Sequence, residues 1–99
     1  MATLQRQPTH AGEILREEFL KPLGITQSQL AKSLHTSFRA INELVNEKRG
    51  ITTEMALKLA KYFGTTPQLW LNIQNQFDLY KVSIKKKETL KEIEKFEVA

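Results

Sequence analysis

Apolar residues recur at helical spacing along this chain, and two such stripes stand close together within ITQSQLAKSLHTSFRAINELV, residues 25–45. Leu30, Ala31 and Leu34 make the first stripe; Ile41, Leu44 and Val45 make the second. Between them, Ser37 is a good N-cap for a helix starting at Phe38. Ala31 is small enough for two short helices to cross steeply there. The pattern predicts a helix-turn-helix whose second helix would lie in a DNA major groove. Taken alone, the spacing fits equally well an αα-hairpin that binds nothing.

The flanking patterns predict three more helices. Residues 1–8 show little periodicity and read as an arm. Thr9 or His10 caps a helix over about residues 11–20, with Ile14, Leu15 and Phe19 facing inward. If His10 is the cap, Glu13 takes the third helical position, where its charge suits the helix N-terminus. Pro22 and Gly24 are expected to end this helix. Thr52 caps a helix over residues 53–63 with Gly64 as its stop, and Met55, Ala56, Leu59, Ala60 and Phe63 form its inner, core face. Thr66 followed by Pro67 opens the last strong helix.

In that last helix Trp70, Ile73, Phe77 and Tyr80 are spaced three, four and three. Such a seam either closes the domain's own core or joins two copies. Four shorter helices already supply a core, so the seam is expected to form a homodimer, with part of it used internally. Residues 82–99 alternate lysine with glutamate, and Leu90, Ile93 and Phe96 recur every third residue. A short amphipathic helix and a solvated tail both fit, and Lys85, Lys86 and Lys87 read as a solvated charge run. The expected fold class is all-α: a five-helix domain over residues 9–81, with a charged tail over 82–99.

Composition narrows the function. The chain has 99 residues, 40% hydrophobic and 26% charged, which suits one small folded domain. A net charge of +4 permits nucleic-acid binding. With no cysteine, disulfides and thiolate metal sites are excluded, and His10 and His35 lie too far apart in sequence to suggest a metal pair. No apolar run approaches a membrane span and no signal-peptide core opens the chain, so a cytoplasmic protein is expected. No nucleophile, phosphate loop or metal-ligand spacing is present, so neither an enzyme nor a cofactor is expected.

The chemistry to be expected lies on the second helix of the motif. If Ile41, Leu44 and Val45 face inward, then Phe38, Arg39, Asn42 and Glu43 face outward. Arg39 can fork onto guanine O6 and N7, Asn42 can pair with adenine N6 and N7, and Phe38 can press on a thymine methyl. Glu43 can accept from cytosine N4 or orient Arg39. Thr36 and Ser37 stand at the helix N-terminus, where hydroxyl and N–H groups can reach phosphate or base edges.

Residues 25–64, with Gln27 and Ser28 opening the first helix of the motif, resemble the Cro/phage-repressor-like helix-turn-helix (XRE) family. A more specific resemblance spans residues 9–81. Gly64, Thr65, Thr66, Pro67, Trp70, Leu71, Ile73 and Gln74, followed by Phe77, Asp78 and Leu79, look like the hallmark run of the HigA antitoxin family. Near the N-terminus, THAGEIL is similar to that family's H-P-G-E-x-L opening, with Ala11 in place of Pro. The resemblance implies phosphate contacts from Gln27 and from Asn46, Lys48 and Arg49 in the loop after the recognition helix. It implies a dimeric repressor of its own operon, bound to double-stranded DNA at an inverted repeat, with a HigB-like ribonuclease toxin as partner. His35 and Glu47 stand where the family usually has Gly; a left-handed backbone is expected at His35, and an unfavourable charge beside phosphate at Glu47. A stand-alone repressor and an interaction module that has lost DNA binding are the alternatives.

Overall fold

The structure, a computed structural model, describes residues 7–98, and within them every regular element is a helix. Helix α1 spans 11–23, α2 Gln27–Ser33, α3 Phe38–Val45, α4 Thr53–Phe63, α5 Pro67–Lys85 and α6 Lys87–Lys91. The all-α architecture is thus the expected one. The arm falls mostly on residues 1–6, which lie outside the described residues.

Local chemistry accounts for most of the boundaries. His10, Thr26, Ser37, Thr52 and Thr66 are N-caps whose side chains accept backbone N–H bonds from the first helical turn. Thr26 forms a full capping box, because the Gln29 side chain bonds back to the Thr26 N–H at 2.9 Å. The stops are left-handed residues: Gly24, His35, Glu47 and Gly64 have φ of 66°, 55°, 61° and 73°. The turn after α2 is closed by Thr36 N–H to the Ala31 carbonyl at 2.9 Å and His35 N–H to the Lys32 carbonyl at 3.2 Å. The turn after α3 repeats this geometry, with Lys48 N–H on Glu43 and Glu47 N–H on Leu44. Both are Schellman motifs, formed on residues for which the left-handed region is strained.

Two boundaries differ from expectation. Pro22 does not end α1, which runs on to Leu23 with Gly24 as its left-handed cap. The reason is a π-helical stretch, Leu15–Leu20, which shifts the bonding so that Lys21 N–H reaches the Arg16 carbonyl five residues back. The proline follows this widened turn and escapes the clash with a regular helix's carbonyl. At the other end α5 continues to Lys85, so no structural break separates residue 81 from 82. After α6, residues 93–98 are exposed and without regular structure.

The core is built from one face of each of the first five helices. Leu15, Leu30, Ile41, Leu44, Val45, Leu59 and Trp70 are fully buried. Phe19 packs on Phe63 and Trp70, with ring centroids 4.7 and 5.0 Å away, and the Trp70 indole N–H donates to Thr65 Oγ1 at 2.8 Å. Trp70 therefore corrects the expected dimer seam: it is sealed inside its own subunit and offers no surface to a partner.

Candidate nucleic-acid interface

Helix α3 is presented by what holds its inner face and its end. Ala40, Ile41, Leu44 and Val45 are buried, which leaves Phe38 and Arg39 exposed and Asn42 and Glu43 half-exposed, as the spacing predicts. Gly12 of α1 lies directly on the backbone of α3; a methyl group there would stand 1.8 Å from the Leu44 carbonyl oxygen. The Arg16 guanidinium donates to the Val45 carbonyl, satisfying one of the acceptors that the end of α3 leaves open. Neither role was visible in the sequence. Both join residues far apart in the chain, which no local pattern reveals.

Two side-chain locks organise the outer face. The Asn42 amide donates to Gln27 Oε1 at 3.0 Å, tying α3 to the start of α2. This bond uses one N–H, leaving the other and the carbonyl oxygen for an adenine edge. Glu43 makes the second lock. Its Oε2 accepts from Arg39 Nε at 2.9 Å, and its Oε1 accepts from Arg49 Nε at 3.0 Å and Nη2 at 2.6 Å. The Arg39 and Arg49 hydrogen bonds hold the Glu43 carboxyl below its ordinary value, and Glu43 raises that of Arg39. Glu43 and Arg39 therefore face each other as a charged pair at neutral pH.

The remaining expected residues are placed as follows. Ser37 caps α3 by accepting from Ala40 N–H at 3.0 Å, which leaves its hydroxyl proton free to donate. Thr36 is half-buried beside it, and Ser28 is exposed on the first turn of α2. Asn46 and Lys48 are exposed in the loop behind Arg49, and among the described residues their side chains make no hydrogen bond to the locks. Burial pushes the His10 imidazole below its ordinary value, and the Glu47 charge opposes this in part, so Glu47 is felt at the start of α1. On α5, Ile73, Phe77 and Tyr80 are half-buried, and the Phe77 ring packs edge-on to His10 at 4.9 Å.

A short helix crossed by a second through a tight turn, with arginine, asparagine and serine on its outer face, defines a helix-turn-helix DNA-binding protein. The helix-turn-helix family (HTH_3) matches residues 16–70. Virulence-associated protein I of Dichelobacter nodosus is 57% identical over 70 residues, which are 71% of this chain and 65% of that protein. This chain thus spans just under two thirds of that relative's length. Antitoxin HigA-1 of Vibrio cholerae is 40% identical over 80 residues, 81% of this chain and 75% of the relative. Among solved structures, antitoxin HigA of Pseudomonas aeruginosa with the higBA promoter superposes with a TM-score of 0.87 at 38% identity, covering 91% of this chain and 99% of that one. The chain belongs to the helix-turn-helix family and, within it, to the HigA antitoxins, which are not enzymes. No helix among the described residues is long and apolar enough to cross a membrane.

Proposed function

We propose that this protein is a DNA-binding antitoxin that represses its own operon and neutralises a HigB-like ribonuclease toxin. The observation that carries the DNA half is the outer face of α3, where Arg39 and Asn42 are each held by a neighbouring side chain before any base is met. Preorganised side chains lose less rotamer freedom on binding, so more of each base contact appears as discrimination. Gln27, Ser28, Thr36, Ser37, Asn46, Lys48 and Arg49 ring this face and contact phosphate. The solved relative bound to a promoter supports DNA binding. The protein works in the cytoplasm, with the DNA it reads.

One α3 covers only a few base pairs, so the reading unit is a two-fold dimer on an inverted repeat, with half-site centres about 34–36 Å apart. Its seam runs along α5 through the exposed parts of Ile73, Phe77 and Tyr80 and onward to Ile84, which is 56% exposed. These positions are spaced four, three and four, which keeps them on one face. The toxin half rests on family membership. It is tested by co-expression with the neighbouring reading frame: co-purification and relief of growth arrest support an antitoxin. Promoter binding without a co-purifying partner leaves a stand-alone repressor.

A further inference from the structure

Glu43 is the only acidic side chain on the outer face of α3, and both of its oxygens are engaged by arginine. Three N–H donors fill most of the roughly four lone-pair positions of its carboxylate. The bridge joins two segments, since Arg39 sits in the first turn of α3 and Arg49 in the loop beyond its end. Arg39 is held side-on through Nε, which leaves the Nη1/Nη2 end of its guanidinium free, and its side chain is 83% exposed. That end presents the two-donor fork that matches guanine O6 and N7. Arg49 has given the Nε/Nη2 edge to the carboxylate and keeps only its far side for a phosphate.

We propose that Glu43 is a specificity-determining positioning residue: its carboxylate clamps Arg39 so that the guanidinium end faces a base pair, and offsets one of two cationic charges that would otherwise bind any phosphate. Non-specific affinity comes almost entirely from phosphate neutralisation, whereas operator affinity also needs the directed fork. One carboxylate placed here lowers the first and sharpens the second. This rests on the operator-reading role of α3 proposed above. It differs from a direct contact between Glu43 and cytosine N4, for which the arginines would have to release the carboxylate.

The test uses the full chain and its Glu43→Gln variant, titrated with the promoter duplex upstream of its own reading frame and with a scrambled duplex of equal length. The glutamine removes the charge at nearly constant volume and keeps an acceptor oxygen for the arginines, so thermal unfolding should stay near that of wild type. Scrambled DNA should bind tighter, with its log–log salt slope steeper by about 0.9 per subunit, and the promoter-to-scrambled affinity ratio should fall about tenfold. In an Arg39→Ala background the substitution should no longer change the ratio, while the steeper slope persists through Arg49. An unchanged ratio in Glu43→Gln overturns the inference alone. So does a loss of promoter affinity that persists in the Arg39→Ala background, because Glu43 would then read a base itself. A wild-type protein with no promoter preference overturns the operator reading, and this inference with it.

Discussion

Arg39 and Asn42 were legible at the residue scale because a helix fixes side-chain direction once its buried stripe is known. Ile41, Leu44 and Val45 set that stripe, and all three are buried. The side-chain partners of these two residues were only half legible. An orienting role for Glu43 on Arg39 follows from their spacing of four, but its second partner, Arg49, is brought round by the left-handed Glu47, whose φ of 61° is not written in its residue type. Gly12 was not legible at all, because its role is the absence of a side chain against a strand of backbone elsewhere in the chain. Gly12→Ala should destabilise the fold by about 1–3 kcal/mol or more, since the Leu44 carbonyl is helical backbone and cannot step aside. Urea unfolding followed by circular dichroism measures this; a midpoint equal to wild type would mean that α1 and α3 are not locked at that contact.

Helix ends carry most of the information at the element scale. The starts at Ser37, Thr52 and Thr66 and the stop at Gly64 were legible because cap residues act locally. The π-helical passage through Leu15–Leu20 was not, because it depends on hydrogen-bond registry rather than on residue type. The start of α1 also makes stability depend on pH. Burial pushes the His10 imidazole below its ordinary 6.5; Lys81 adds to this, while Glu47, Asp78 and Glu13 oppose it. The folded state thus binds fewer protons than the unfolded chain just below pH 6.5, so the contribution is whole above that pH and is lost as pH falls toward the lowered value. Protonation also removes the Nδ1 lone pair that accepts the Gly12 N–H at 2.8 Å. His10→Asn keeps a capping acceptor that does not titrate. Its urea midpoint should fall less than that of wild type between pH 7 and about 5.5; parallel falls would place the titrating group elsewhere.

At the scale of the whole molecule, the sequence separated core from surface well along the first four helices and less well along α5. There the aromatic stripe is divided between the core and the proposed dimer seam. Trp70 belongs wholly to the core, and Phe77 leans on His10. Spacing could not divide the stripe, because internal and intersubunit faces repeat with the same period. Of the proposed seam, Tyr80 and Ile84 lie toward the C-terminal end of α5, away from the Trp70 cluster. Substituting both by Ala should leave the unfolding transition near that of wild type and convert the dimer to monomer in sedimentation velocity at micromolar concentration. A folded variant that still sediments as a dimer would move the seam to another surface.

The proposed operator reading rests at every scale on Arg39: its place on α3, its hold on Glu43 and its repetition across the proposed two-fold axis. Its substitution by Ala, titrated by fluorescence anisotropy against the promoter duplex and a scrambled control at one fixed salt concentration, is the most direct measurement. The promoter should lose about 1–3 kcal/mol of binding per half-site, a factor of roughly 5 to 150 each, while scrambled DNA changes little and the protein stays folded. Equal affinity of wild type and Arg39→Ala for the promoter would contradict the assignment of α3 as the reading helix.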